Sequence, residues 1–488
     1  MTNPLLQQWH TPFGMPPFES IKAAHFEEAF EKGLQKHQDE ILAISHNPEP
    51  ASFDNTLIAL EASGELLNQT SNVFFNLSAS HSSPEIQRIE REMAPKLAAH
   101  SAALYLNAAL FDRIEVLVQQ QANLHLDPER QRLLQRYHLD FVRAGAKLKA
   151  EDRQAFAQNA EKLATLFTTF SQNVLADESA FCLTLTSEDE LSGLPEFVRS
   201  AAKQLAKERG LTQANAHAFT LSRSSLTPFM TFSDRRDLRQ TMWTAWCQRG
   251  ENKGPHNNEP IMKEILQLRL AQARLLGYKD FSEYALADTM AGSAKQARDL
   301  LTRVWAPARL KALQEREDLQ QLSGLEDLQA WDWHYWTERV RKEKYDLNEA
   351  EIKPYLQLHQ LMAAMFHVAH KLFGVNFKEV KDIEKYHETV TGWEVTDRHG
   401  QHVGLFLSDN FARSTKRSGA WMSTYRDPMH LTTPVRPIVV NNNNFSQAPA
   451  GQATLLSLDD ARTLFHEFGH GLHGLLSQVR FPRLSGTK

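Results

Sequence analysis

His466, Glu467 and His470 stand in the order H-E-x-x-H. On a helix, side chains four residues apart leave the same side, so both imidazoles can converge on one ion with Zn–N contacts of about 2.0–2.1 Å. Glu467, roughly 100° round from His466, cannot easily join them. It can flank the ion and take a proton from a water held there, the general-base role in H-E-x-x-H peptidases. The chemistry indicated is metal-assisted hydrolysis, with His466 and His470 as ligands of a single Zn2+ and Glu467 as base. Manganese and cobalt can share such ligands. His473 has the same angular position, but an axial rise of about 10 Å from His466 puts it out of reach of a common ion, and it is expected to be packed or to support the site from outside. The longer H-E-x-x-H-x-x-G-x-x-H arrangement is absent, since His473 replaces its Gly and Leu476 its last His. A third ligand has to come from elsewhere.

The positioning element is predicted to be a helix. Leu458, Ala461, Phe465, Phe468, Leu472 and Leu475 recur at steps of three and four, the spacing of one buried face. Ser457 suits the N-cap, with Asp459 and Asp460 in the first turn. Just upstream, 392–396 and 402–407 read as a β-hairpin across the turn 397–400, and 419–422 and 435–440 as further strands. Pro437 places the last of these toward a sheet edge. An unpaired edge beside the helix could accept an extended peptide. Asn441 to Asn444 are read as a turn in preference to amides lining a cleft.

The remaining chain reads as mostly α, a long-helix bundle with a small β-region next to the metal-binding helix. Helical stripes cover 26–44, ending near Pro48 and Pro50, and 57–75. Ser83-Pro84 starts a helix expected to reach Val118 with a kink at Pro95, and Asp127-Pro128 starts the next. Phe181, Leu183 and Leu185 alternate with polar residues, as do Phe219 and Leu221, which suggests a strand pair around a short helix near 195–208 ended by Gly210. Ser233 is expected to cap a helix in which Trp243 and Trp246 pack. From 259 to 375 the pattern is helical, with breaks near Gly277, 291–293, Gly324 and Gly374. Arg339 and the charges at 341–344 read as a solvated face.

Composition narrows the function. The 488 residues carry 54 Lys and Arg against 59 Asp and Glu, a net charge of −5, with no long block of one sign. Neither a nucleic-acid partner nor an anionic membrane surface is expected. Cys182 and Cys247 are too few for a disulfide framework and lack zinc-site spacing, which suits a reducing compartment. The N-terminus lacks the basic and apolar regions of a secretory signal, and no run of 18 apolar residues occurs. A cytoplasmic location is expected.

Several motifs together resemble the thimet-oligopeptidase family of zinc peptidases, on its bacterial peptidyl-dipeptidase and oligopeptidase branch. They are the run from Phe465 to His473, Asp332-Trp333-His334-Tyr335-Trp336, Tyr345-Asp346-Leu347 and Lys353-Pro354-Tyr355. To these add Phe411-Ala412-Arg413-Ser414-Thr415-Lys416 with Gly419-Ala420-Trp421-Met422, and Leu484-Ser485-Gly486-Thr487. The resemblance implies His466 and His470 as zinc ligands and Glu467 as proton shuttle. It also implies a helical bundle split by a channel that admits short unfolded peptides, cut as C-terminal dipeptides or internally. Three segments are expected: 1–175, an N-terminal helical lobe, and 176–258, helices with a short strand pair, both from the pattern along the chain; and 259–488, which the resemblance makes the N-terminal part of a zinc-peptidase catalytic domain. In the family the third ligand is a Glu on the helix after the Leu-Ser-Gly-Thr segment, and the carbonyl-polarising His and Tyr lie further on. With the sequence closing at Lys488, the expectation is a metallopeptidase that needs a missing C-terminal segment as partner, exposes apolar surface where that segment packs, and is poorly active or inactive alone. The alternative is a non-catalytic peptide-binding remnant of the family.

Overall fold

The computed structural model describes residues 2–346, 349–431, 433–449 and 451–486. Leu347, Thr487 and Lys488 of the motifs above lie outside them. The first helix, α1 (His25–Ser45), stops where predicted, before Pro48. The predicted helix over 57–75 is instead broken: Ala59–Ala62 is a short piece, and Gly64 turns the chain at φ +74° into α2 (Glu65–Ser80). That left-handed conformation costs glycine little and other residues more. The helix expected to run on to Val118 is two. Pro84–Tyr105 (α3), capped by Ser83, passes through Pro95, and Asn107 then accepts a bond from Leu110 N and starts α4 (Ala108–Gln119). An Asn that satisfies the free N–H groups of a new helix favours a boundary over continuation.

Next come α5 (Pro128–Arg143, capped by Asp127), the long α6 (Ala150–Ala180), and a ribbon of β1 (Leu183–Leu185) antiparallel to β2 (His217–Phe219), with α7 (Glu196–Glu208) between its strands. Then follow α8 (Arg223–Phe232), which the sequence reading did not foresee, and α9 (Arg236–Cys247). Ser233 accepts from Arg235 N, ahead of the α9 start, and Trp243 and Trp246 pack against the core around Phe229 and Met242. The helical stretch contains α10 (Glu259–Leu275), α11 (Phe281–Leu286), α12 (Ala294–Ser323), α13 (Trp333–Tyr345) and α14 (Leu358–Phe373). No helix of the described residues is long and apolar enough to cross a membrane.

A five-stranded sheet follows: β3 (Asn376–Val380), β4 (Thr391–Thr396), β5 (His402–Phe411), β6 (Trp421–Arg426) and β7 (Ile438–Phe445), in the order β3-β4-β5-β7-β6. All neighbours are antiparallel except β5 and β7, which run parallel with Leu407 opposite Val440 and Ser408 opposite Asn441. So β7 is internal, not an edge. Pro437 stands one residue before it, where its missing N–H is harmless and its carbonyl accepts from Leu405 N at 3.0 Å. Asn441 to Asn444 are strand residues, not a turn, and Asn441, Asn442 and Asn443 are buried.

Strand alternation gives the sheet two apolar faces. Leu405, Leu407, Ile438 and Val440 pack with Leu5, Met15 and Phe18 and with the N-terminal helices through Phe26, Phe30 and Phe74. On the other face Phe406, Val439 and Phe445 pack against Met365 of α14 and against α15 (Leu458–Leu476), the helix that carries H-E-x-x-H. The predominantly helical class, with its small β-region beside that helix, is as expected.

Candidate metal centre

The start of α15 is fixed locally. Ser457 Oγ accepts from Asp460 N at 3.0 Å and the Asp460 carboxylate accepts from Ser457 N at 3.2 Å, a reciprocal cap. Asp459 pairs with Arg223 of α8 at 2.6 Å. The buried face differs from the predicted one: Ala461, Leu464, Glu467, Phe468, Gly471, Gly474 and Leu475 face inward, while Leu458 and Phe465 are exposed. The two glycines explain the rotation. A Cβ on Gly471 would sit 3.0 Å from Asn441 Oδ1 and 3.3 Å from the Phe406 ring, and one on Gly474 would sit 3.2 Å from Val439. Without side chains there, the helix backbone lies directly on β5 and β7, and Phe468 is held among Phe366, Phe377 and Phe406 with ring centroids 5.5–5.9 Å away. A fully buried side chain of this kind contributes about 1.5–3 kcal/mol.

Pressed down on that face, the helix presents His466 and His470 outward. Their Nε2 atoms are 3.2 Å apart and the rings are inclined at 82°. Two nitrogens on one tetrahedral ion at about 2.05 Å stand roughly 3.3 Å apart, so the pair fits a shared divalent ion. Without a cation, the close approach of the two nitrogens requires one ring to donate its proton to the other. Glu467 is 7% exposed and stands about 100° round the helix from His466 and about 60° from His470. Among the described residues no group of three His, Cys, Asp or Glu is arranged to hold an ion. His473 is exposed, so of its two expected positions, packed or supporting the site from outside, the packed one is not found; it follows His470 by three residues on the outward side.

The chain leaving α15 is anchored to the N-terminal helices. Arg480 binds Glu129 at 2.8 Å, Arg483 binds Asp140 at 2.6 Å, and Phe481 is buried beside Phe53 and Leu134. On the far side of the sheet, burial pulls the Asp409 carboxyl up, but hydrogen bonds and charge from Arg413 and Lys416 outweigh it and hold the group below its ordinary range. Burial pushes the Lys416 ammonium down to about 8 against the pull of Asp409. Tyr386 donates to Asp409 at 2.8 Å and Arg413 reaches the Ser80 carbonyl, so this network ties β5 to α2. The Asp332 motif is also a brace: Asp332 is fully buried and accepts from Arg236 at 2.8 Å and Arg239 at 3.0 Å. Arg339, expected on a solvated face, lies over the Tyr335 ring and pairs with Asp234.

Sequence reasoning missed the buried amides. Neither side-chain atom of Asn441 has a hydrogen-bond partner, nor do Asn442 Oδ1 and Asn443 Oδ1. Ile438, Val439 and Val440 continue in strand register into the Asn run, but nothing local in the sequence separates that from a strand ending at Val440.

Peptidase family M3 matches residues 229–488, the span that holds both histidines and the sheet beneath them. The chain belongs to Peptidase family M3. Its similarity extends beyond that span. A dipeptidyl carboxypeptidase of Salmonella typhimurium is 38% identical over 491 residues, covering 100% of this chain and 72% of that protein. The Escherichia coli dipeptidyl carboxypeptidase is 36% identical, covering 99% and 72%. Oligopeptidase A of Salmonella typhimurium is 30% identical, covering 100% and 72%. The peptidase-family resemblance carried by the sequence motifs is thereby borne out, and within the M3 chain the H-E-x-x-H helix falls inside the matched region.

Proposed function

We propose that this chain acts on short unfolded peptides as a zinc-dependent M3 peptidase, releasing C-terminal dipeptides, with His466 and His470 holding one ion and Glu467 carrying the proton. The observation that carries the reading is the 3.2 Å approach of two outward-facing Nε2 atoms on a helix whose other side is locked to the sheet. Zinc held there would supply Lewis-acid polarisation of the scissile carbonyl and make a water acidic enough to deprotonate near neutral pH. Glu467 would accept the proton of the attacking water and return it to the leaving amine. A groove of about 390 Å3 runs beside β6, lined by Phe75, Asn76, Trp421, Thr424 and Gly474; β6 is an edge strand of the sheet, on which an extended peptide could pair. Asn76 already donates to the Thr424 carbonyl on this edge at 2.9 Å, a bond a peptide would compete with.

The relatives named dipeptidyl carboxypeptidase support dipeptide release, and those named oligopeptidase A support internal cleavage. An N-blocked hexapeptide separates the two by the position of its first cut. Zinc titrated into the chain is expected to bind at one site with a Kd on the order of micromolar, because two imidazoles fall short of the three protein ligands of a catalytic zinc. His466→Ala and His470→Ala should each remove that site, and Glu467→Gln should keep the zinc while abolishing cleavage. Zinc binding that survives both histidine changes would sink the reading. The alternative reading is a peptide-binding protein without chemistry. It requires peptide binding that persists in His466→Ala with no product formed.

A further inference from the structure

The groove beside β6 is charged differently at its two ends. Of the described residues that line it, Arg417 is the one cation and Asp427 the one anion. Arg417 stands four residues before Trp421, where β6 begins, and Asp427 directly follows Arg426, where it ends. The turn that carries Arg417 is pinned from both sides. Its N–H donates to the Ala79 carbonyl at 2.9 Å, and Asn444 Nδ2 donates to the carbonyls of Arg417 and Gly419 at 2.9 and 2.7 Å. The side chain is exposed and lies over the Trp421 ring, its guanidinium carbon 4.1 Å from the centroid. It forms no ion pair or hydrogen bond among the described residues. A guanidinium offers a fork of N–H donors that matches a carboxylate, and this one is held in place without an anion.

The metal helix approaches the same end of the groove. Gly474 lies over Val439 and Gly471 over Asn441, and these two strand residues pair with Thr424 and Met422 of β6. Going back along α15 therefore moves along β6 toward Trp421, and His470 and His466 continue in that direction beyond Gly471. A peptide that pairs antiparallel with β6 finishes its C-terminus at the Trp421 end. Its carboxylate then meets Arg417, whereas a parallel peptide sets its carboxylate toward Asp427. Charge selects the antiparallel direction. We infer that Arg417 binds the free C-terminal carboxylate of an extended peptide lying antiparallel on β6, which makes the chain selective for peptides with unblocked C-termini. The inference rests on the peptide-substrate reading above and adds to it the group that fixes the peptide's C-terminal end beside the metal helix.

The test measures binding by the full chain with zinc removed by a chelator, so that nothing is cut. A hexapeptide of alanine and serine, matching the six residues of β6, carries tetramethylrhodamine on its N-terminus and is made as the free acid and as the C-terminal amide. By fluorescence anisotropy at low salt the acid is expected to bind about tenfold tighter than the amide, the effect of one charged hydrogen-bonded pair, with the gap narrowing at high salt. Arg417→Gln should erase the difference by weakening the acid alone. Arg417→Lys should keep part of it, since an ammonium holds the charge without the fork, and Arg417→Glu should reverse it. The side chain is exposed, so an unchanged Tm verifies that each variant is folded. Equal binding of acid and amide by the unsubstituted chain, a preference that Arg417→Gln leaves intact, or failure of both peptides to bind would each overturn the inference. The peptidase reading is decided separately once zinc is restored. Binding through Arg417 with no product released keeps this inference and counts against that reading; product formed with no dependence on Arg417 does the reverse.

Discussion

At the scale of single residues, spacing told most about the exposed chemistry and least about the buried polar groups. His466, Glu467 and His470 could be placed on two sides of one helix because a helix fixes angular position, and the cap at Ser457 is a contact between residues three apart. Asn441 to Asn443 could not be placed that way. Their burial depends on strands distant in sequence, and a polar run after three β-branched residues reads locally as the end of a strand. Asp409 is the residue whose environment predicts most. Its carboxyl is held below the ordinary value of 3.8, so the folded state binds its proton more weakly than the unfolded chain does. The stability it contributes is therefore complete above about pH 4 and is lost as pH falls through the lowered folded value. Urea midpoints measured from pH 7 down to pH 2.5 should drop along that limb. Asp409→Asn should flatten it, at the cost of leaving Lys416 and Arg413 without their anion, a loss of about 3–5 kcal/mol near neutrality.

At the scale of elements, what decided the metal helix was its missing side chains. Apolar periodicity alone chose a face that included Leu458 and Phe465; contact with the sheet chose the one that includes Gly471 and Gly474. A pattern of large residues cannot register a close approach made by small ones. Gly471→Val should accordingly lower Tm, with a cost of about 1–3 kcal/mol from forced repacking against Asn441 and Phe406. It should also weaken zinc binding more than His473→Ala does, since it lifts the helix on which both imidazoles stand. A calorimetric scan and a zinc titration on the two variants would check this. Strand order was illegible for a related reason. Pro437 argued for an edge, yet a proline one residue before a strand imposes nothing on the strand itself.

At the scale of the whole molecule, the first residues and the sheet are one structure. Leu5, Met15 and Phe18 share a core with Leu405, Leu407 and Val440, and Arg426 donates to the Phe13 carbonyl at 2.8 Å. Deleting residues 2–20 should strip that face of the sheet, lowering resistance to limited proteolysis around β5 to β7 and weakening metal binding at His466 and His470, although the cut is more than 400 residues away in sequence. Nothing in the N-terminal residues alone signals this coupling, because each partner is defined only by the other. The strand order also sets a sequence of events in time. Because β7 is threaded between β5 and β6, a ribosome must release about 445 residues before the sheet can close, and throughout that interval the opening segment has the N-terminal helices to rest on but not the sheet that completes its core. Cells making this protein would need to shelter the side of these early apolar residues that the sheet covers until β7 arrives.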